Sequence, residues 1–349
     1  MRLKTRNQIT VALLLAGCIS SQGAMAEQQK LTVALYGGNW GEAFLSCVAE
    51  PFTKATGITV APEVGTSTTT LAKLQQQKAN PTIDVAWMDG GISEMAHAAG
   101  VIADLDPAAI PNLQNVLEKA VYSNAGHAFA VSTGFYSLGL TYNTQEIKQA
   151  PTSWKDLWKP EYAGAIALPS PANSSGVPFV FFMADVWGID KADLAPVYGK
   201  LGALDTALFF DSSGAATNAF QSGEAIIGAH FNVGAWDLID KGAPIAFTIP
   251  AEGAWATDAR LHLIKGARNS KAAEQFINTA LTKEAASCLA GKLYLGPAVK
   301  DVQVSEDVAR KLPWGVGGTI DSLRLFDWSQ INAQRAGVTN DWNRKVASN

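Results

Sequence analysis

The stretch that most constrains this chain runs from Ser132 to Gly164 and reads S-T-G-F-Y-S-L-G-L-T-Y-N-T-Q-E-I-K-Q-A-P-T-S-W-K-D-L-W-K-P-E-Y-A-G. Phe135–Asn143 interleaves aromatic and apolar residues with small ones, which suits a buried strand better than a helix. Tyr142-Asn143-Thr144 breaks that pattern. Pro151 cannot continue a helix, and Thr152 or Ser153 offers a hydroxyl to cap a short helix over Trp154–Trp158. Pro160 ends that helix, and Gly164 releases the chain into a strand over Ala165–Leu168. A long buried strand therefore sits in mid-chain, with further strands before and after it.

On its N-terminal side, Leu31–Tyr36 is a β-type run that ends in Gly37-Gly38-Asn39-Trp40-Gly41. Ala43–Ala55 reads as a helix with Phe44, Val48 and Phe52 on one face. Strand, glycine-rich turn and helix form the opening unit of a parallel α/β sheet, in which ligands bind at the carboxyl ends of strands. A second strand begins at Ile58-Thr59-Val60. The hydroxyl run Thr66-Ser67-Thr68-Thr69-Thr70 then precedes a helix over Leu71–Lys78. One hydroxyl suffices for a cap, so the surplus suggests ligand contact, although Ser and Thr are also ordinary loop residues. Pro81–Asp89 is a third strand. Asp89 either caps the helix Ile92–Ala99 or pairs with a ligand ammonium. Pro111–Ala120 reads as a short amphipathic helix.

The second half mirrors this order. Ser174 and Ser175 lie in a polar loop before the helix Val177–Trp187, and the strand Ala203–Phe210 ends in Asp211-Ser212-Ser213-Gly214. Ala225–Ala229 leads to His230-Phe231-Asn232, and Ile245–Ile249 is a return strand. Trp255, Asp258 and Arg260 follow. Ala272–Ala290 reads as one helix. Two sets of strand-end loops facing each other would line a cleft.

Composition bounds the function. The 349 residues are 48% hydrophobic and 17% charged, an ordinary globular balance. At about 100–200 residues per domain, two lobes are expected. The formal net charge of −4 and the lack of a Lys/Arg run after the first few residues exclude nucleic acid as partner. Arg2, Lys4 and Arg6, the apolar Ile9–Ile19 and the small-x-small Ala24-Met25-Ala26 read as an export signal over residues 1–26. Leu15-Ala16-Gly17-Cys18 reads alternatively as a lipid-attachment site at Cys18. Either route exports the chain. Cys47 and Cys288 then remain in an oxidising compartment, either disulfide-bonded or as two buried thiols.

The segment Y-N-T followed by P-T-S-W-K-D-L-W-K-P-E-Y-A-G resembles the inter-lobe crossing of periplasmic solute-binding proteins, the capture subunits of bacterial ABC importers. Their spermidine/putrescine branch is the most similar. F-T-K-A-T-G-I-T-V, F-Q-S-G-E-A-I-I-G-A-H-F-N-V-G-A-W and P-A-E-G followed by Trp255 and Asp258 resemble that branch too. The resemblance implies an α/β, two-lobe periplasmic-binding-protein fold of type II, with two parallel-rich sheets flanked by helices and a cleft between lobes. With the export signal over 1–26 set aside, it implies lobe one over 27–138 and 248–299, lobe two over 139–247, and bracing helices over 300–349. Hinge residues are expected near Tyr142-Asn143 and Pro244–Pro250.

The expected ligand residues follow from the strand-end loops and the resemblance together. In lobe one they are Gly38, Asn39, Trp40, Thr66, Ser67, Thr68, Asp89, Phe135 and Tyr136. In lobe two they are Ser174, Ser175, Asp211, Ser212, His230 and Asn232, with Trp255 and Asp258 on the return. Aromatic and acidic groups together suit a cation, so a small polyamine-like amine is the expected ligand. Arg260 either enters the cleft, where it would clamp the carboxylate or phosphonate of a zwitterion, or is a solvated strand residue. The implied partner is a membrane permease of an ABC importer. A monomer in the periplasm, without cofactor, metal or catalysis, is expected. No G-x-S-x-G, H-E-x-x-H or G-x-x-x-x-G-K pattern occurs, and His97, His127, His230 and His262 form no metal-type pair.

Overall fold

The structure is a computed structural model that describes residues 29–347. The export signal and its Ala26 and Cys18 alternatives lie outside the described residues.

The first strands are β1 (Lys30–Leu35), β2 (Thr59–Val64) and β3 (Val85–Asp89), with β1 parallel to both of the others. Between β1 and β2 the helix α1 (Gly38–Phe44) runs through a π-helical turn into α2 (Glu50–Thr56). It begins five residues before the expected Ala43, because Gly37 serves as N-cap and the glycine-rich segment itself forms the first turn. The helix α3 (Ser67–Gln76) likewise starts within the hydroxyl run, and α4 (Ile92–Ala98) follows β3. The expected helix over Pro111–Ala120 is instead two short 3-10 turns leading into β4 (Val121–Asn124).

β5 (His127–Asn143) is the element that joins the halves. At about 3.3 Å per residue its 17 residues extend roughly 55 Å, enough to cross from one lobe to the other. In lobe two it is followed by β6 (Ile166–Pro169), α5 (Gly176–Trp187), α6 (Ala195–Gly202), β7 (Leu208–Phe210), α7 (Ser213–Ser222), β8 (Ile227–Phe231), α8 (Asn232–Asp240) and β9 (Ile245–Thr248). The chain then returns on β10 (Trp255–Leu263).

From Val131 to Leu138, β5 pairs antiparallel with β10; from Leu138 onward it pairs with β8, and from Leu140 to Asn143 also with β9. The outgoing strand and the returning pair of strands thus lie side by side at the crossing. Tyr142 and Asn143, where a hinge is expected, are strand residues paired with Ile227, Ala246 and Ile245. Because β5 is shared, the two expected sheets are hydrogen-bonded into one network of order β2-β1-β3-β10-β5-β8-β6-β7. The return loop is fastened to lobe two: Ala251 N–H donates to Thr152 O, the Trp154 indole donates to Gly253 O, and Glu252 accepts from Ser153 and the Trp154 amide.

After β10 the expected single helix is two, α9 (Ser270–Ala280) and α10 (Lys283–Leu293), divided where the Thr282 hydroxyl caps the second. Cys47 and Cys288 are bonded, with Cα atoms 5.6 Å apart. A two-residue strand β11 (Gly296–Pro297) pairs with β5, and a short α11 (Glu306–Ala309) precedes α12 (Trp328–Lys345). α12 packs on α5, α6 and α4, so it touches both lobes.

Candidate functional site

A cavity of about 450 Å³ opens between the lobes, in the size range of small-molecule sites. Its lobe-one wall comes from the carboxyl ends of the parallel strands. Tyr36 follows β1 directly, Gly38, Asn39 and Trp40 form the first turn of α1, Thr66 and Ser67 open α3, and Asp89 ends β3. Tyr136 comes from β5 and Phe231 from the end of β8.

Asp89 is the centre of this wall. Its Oδ1 accepts from the Tyr36 hydroxyl at 2.6 Å and from the Tyr136 hydroxyl at 2.5 Å. From the other lobe, the Ser174 hydroxyl donates to Oδ2. Its own amide donates to Ser67 Oγ at 3.0 Å. Asp89 does not cap the helix that follows; the cap is Gly91, whose amide donates to Glu94 at 2.6 Å. Burial, and then the Asp89 charge, push both tyrosine hydroxyls well above their ordinary pKa, so they remain donors.

The aromatic rings around this carboxylate are locked edge to face. The Trp40 centroid lies 5.4 Å from Tyr36 and 4.9 Å from Tyr136, and Tyr136 lies 4.8 Å from Phe231. A carboxylate set among ring faces attracts a cation through charge and ring quadrupole together.

The lobe-two wall is made of helix faces. Asn173 and Ser174 precede α5. Ser212 caps α7 by accepting from Ala215 N at 3.2 Å, and α7 presents Ser213, Gly214, Thr217, Asn218 and Gln221. Gly234 and Asp237 come from α8, and Lys241 lies one residue beyond it. Lys241 Nζ pairs with Asp237 Oδ2 at 2.8 Å.

Of the expected ligand residues, Gly38, Asn39, Trp40, Thr66, Ser67, Asp89, Tyr136, Ser174 and Ser212 line the cavity. The others do not, each for a packing reason. Thr68 lies at the rim and donates across the cleft to Ala172 O at 3.0 Å. Phe135 is fully buried and packs near Trp314. Ser175 turns inward to Asn173 Oδ1 at 2.6 Å, and Asp211 turns to the Ser170 hydroxyl. Asn232 accepts from Ser137 N at 3.0 Å and donates to the carbonyls of Tyr294 and Lys311, bracing the crossing rather than the ligand space. Trp255 is core, against Phe231, Phe326 and Trp328.

His230 is also buried. It stacks on Phe220 at 5.8 Å and meets Thr217 Oγ1 at 3.0 Å, so it supports the cavity wall from behind. Only a glycine fits over it at 234: a Cβ there would come within 2.2 Å of the imidazole Nε2. Burial holds its pKa down at about 4, so the ring is neutral.

Asp258 and Arg260 overturn both readings offered for the arginine. Arg260 faces neither cleft nor solvent. It is 1% exposed, bonds Asp258 at 2.8 Å and Glu94 at 2.6 Å, and lies over the Tyr122 ring at 3.3 Å. An Arg260 clamp on a zwitterion is therefore excluded.

Sequence reasoning missed Thr217, Asn218 and Gln221 on α7, Gly234 and Asp237 on α8, and Lys241 just past its end. Their signal is polar pairing at helical spacing, Thr217 with Gln221 and Asp237 with Lys241 at i, i+4, which places each pair on one helix face. Any solvated helix face carries the same pairing.

A cleft between two α/β lobes, crossed by adjacent strands and walled by strand-end loops on one side and helix faces on the other, defines a two-lobe binding protein. The chain belongs to the family of bacterial extracellular solute-binding proteins, whose pattern matches residues 48–312. It is similar to a spermidine/putrescine-binding periplasmic protein of Haemophilus influenzae, 27% identical over 314 residues, covering 86% of each chain. It is also similar to the spermidine/putrescine-binding periplasmic protein of Escherichia coli, 28% identical over 80% of this chain and 81% of the relative. Among solved structures, an ABC transporter protein from Clostridium perfringens matches with a TM-score of 0.70 and 27% identity, over 90% of this chain and 99% of that one. These are solute-binding and transport proteins. No helix among the described residues is long and apolar enough to cross a membrane.

Proposed function

We propose that this protein captures a small amine-bearing solute, of polyamine type or related, outside the cytoplasm and delivers it to the permease of an ABC importer. The observation that carries this reading is Asp89: a carboxylate at the base of the cleft, oriented by Tyr36 and Tyr136, ringed by aromatic faces and touched by both lobes. The relatives named for spermidine and putrescine support it. In this reading residues 27–138 and 248–299 are lobe one, 139–247 lobe two, and 300–349 the brace.

Closure brings Ser174 onto Asp89 and Thr68 onto the Ala172 carbonyl. A ligand that bridges the lobes shifts the open–closed equilibrium, and the closed form docks on the permease. The site of action is the periplasm, with a lipid anchor at Cys18 as the alternative attachment. The working form is a monomer without cofactor or catalytic role. The test is titration calorimetry of the exported form against diamines, monoamines and nitrogen-free anions. Micromolar or tighter binding of an amine is expected. Binding of a nitrogen-free anion with no heat from any amine overturns the reading.

A further inference from the structure

The charges around the cavity constrain the ligand further than the word amine does. Among the described residues that line it, the charged ones are Asp89, Asp237 and Lys241. Among the described residues Asp89 has no cationic partner: its side-chain hydrogen bonds come from neutral hydroxyls. Asp237 is already neutralised by Lys241 at 2.8 Å. The cavity therefore offers one uncompensated negative charge, and it lies at the lobe-one end.

The opposite end differs in kind. Ser212, Ser213, Thr217, Asn218 and Gln221 supply hydroxyls and amides there, and Lys241 supplies the cation. A second ammonium placed at that end meets no free carboxylate and faces a like charge. The Lys241 side chain is 65% exposed, so solvent screens that repulsion to a modest size.

We infer that the ligand of this cleft carries a single ammonium, seated at Asp89, and a hydroxyl, amide or carboxylate head, not a second cation, at the α7–α8 wall. This rests on the amine-capture reading and narrows it away from the di- and tri-cations named for the relatives. A linear polyamine satisfies the lobe-one end and leaves its other end without a partner. A monoamine with a hydrogen-bonding far end satisfies both.

The test uses three probes with the same four-carbon chain: putrescine, 4-amino-1-butanol and 4-aminobutyrate, titrated into the exported form by calorimetry. Aminobutanol or aminobutyrate is expected to bind about tenfold tighter than putrescine. Which of the two leads tells whether the far end is neutral or anionic, and either result supports the inference. Putrescine equal to or tighter than both overturns it while leaving amine capture standing, as does binding of spermidine alone. Silence from all three and from spermidine removes amine capture itself. A second arm uses Lys241→Gln, which frees the Asp237 carboxylate. It is expected to shift preference toward putrescine about tenfold relative to the better monoamine. An unchanged ratio in that variant also overturns the inference, because Lys241 would then play no part in rejecting the second cation.

Discussion

Two acids one strand apart, Asp89 on β3 and Asp258 on β10, look alike in the sequence and have opposite environments. Asp89 ends β3, Asp258 is the fourth residue of β10, and Asp89 lies opposite Ala259, the residue after Asp258. Asp89 meets three hydroxyls and the cavity. Asp258 meets Arg260 and the interior of lobe one, where Glu94 and Tyr122 complete the cluster. The difference is one of parity. Successive strand residues point to opposite faces, so Asp258, Arg260 and His262 share one face of β10, away from the cavity. A carboxylate ringed by neutral donors stays available to a cation from outside. One already holding a guanidinium in a dry interior is structural. Burial pushes the Asp258 carboxyl up against the pull of Arg260; burial also works against the Arg260 charge, but Asp258 outweighs it and keeps the guanidinium protonated.

The sharpest way to break this comparison is Asp258→Asn. It leaves the Arg260 charge buried with only Glu94, 27% exposed, opposite, and such a loss costs about 3–5 kcal/mol. Urea unfolding should show that drop, whereas the folded fraction should bind ligand with unchanged affinity. Weakened binding with intact stability would return Asp258 to the cleft.

The next effect reads the same face of β10 through protons. His262 is buried between Ser93 Oγ at 2.8 Å and Ala86 O at 3.1 Å, and burial holds its pKa down at about 3. His230 behaves alike at about 4. Both folded values lie below the ordinary value of about 6.5, so the unfolded chain takes up protons first as pH falls. Stability is complete above that value and is lost as pH drops toward the folded values, by about 3 kcal/mol per histidine over the first two units. His262→Gln should flatten the acid limb of a plot of unfolding midpoint against pH. The same slope in variant and parent would show that this face is open to water.

These contrasts also set how far the sequence could be read. The order of strands, loops and helices was legible because β-type runs, glycine turns and caps are local signals. Cavity residues in strand-end loops, such as Trp40, Ser67, Asp89 and Ser212, were legible for the same reason. Parity at the crossing was not. Phe135 and Tyr136 are neighbours, yet Phe135 is core and Tyr136 binds Asp89, a difference fixed only by the register of β5 against β10. His230 looked like a cleft residue because it ends a strand, but β8 is buried along its length and Gly234 leaves the ring a place inside. The helix faces of α7 and α8 become cavity walls only through the packing of one half of the molecule against the other, and no local pattern records that.

Asp89→Asn tests the other half of the comparison. The amide oxygen still accepts from Tyr36 and Tyr136, so the fold should hold within about 1 kcal/mol. The charge opposite a ligand ammonium is gone, and affinity for the amine should fall about a hundredfold, roughly 2.7 kcal/mol. Calorimetry beside thermal unfolding separates the two. Affinity within about threefold of the parent would move the cation site elsewhere.

The smallest effect comes from the hydroxyl that ties the lobes together. Ser174 reaches Asp89 from lobe two while two tyrosines reach it from lobe one. A carboxylate offers about four acceptor directions, so three hydroxyls leave one for an ammonium, and ligand and Ser174 bond Asp89 at the same time. Ser174→Ala then removes a cross-lobe bond from the closed complex without creating an empty charge, and water fills the open form equally well in variant and parent. Affinity should weaken about fivefold, near 1 kcal/mol, and small-angle scattering should show a more open ligand-free chain. Tighter binding would mean that Ser174 holds the position the ligand needs, and that Asp89 is guarded by the serine in the empty protein and must exchange it for the ammonium.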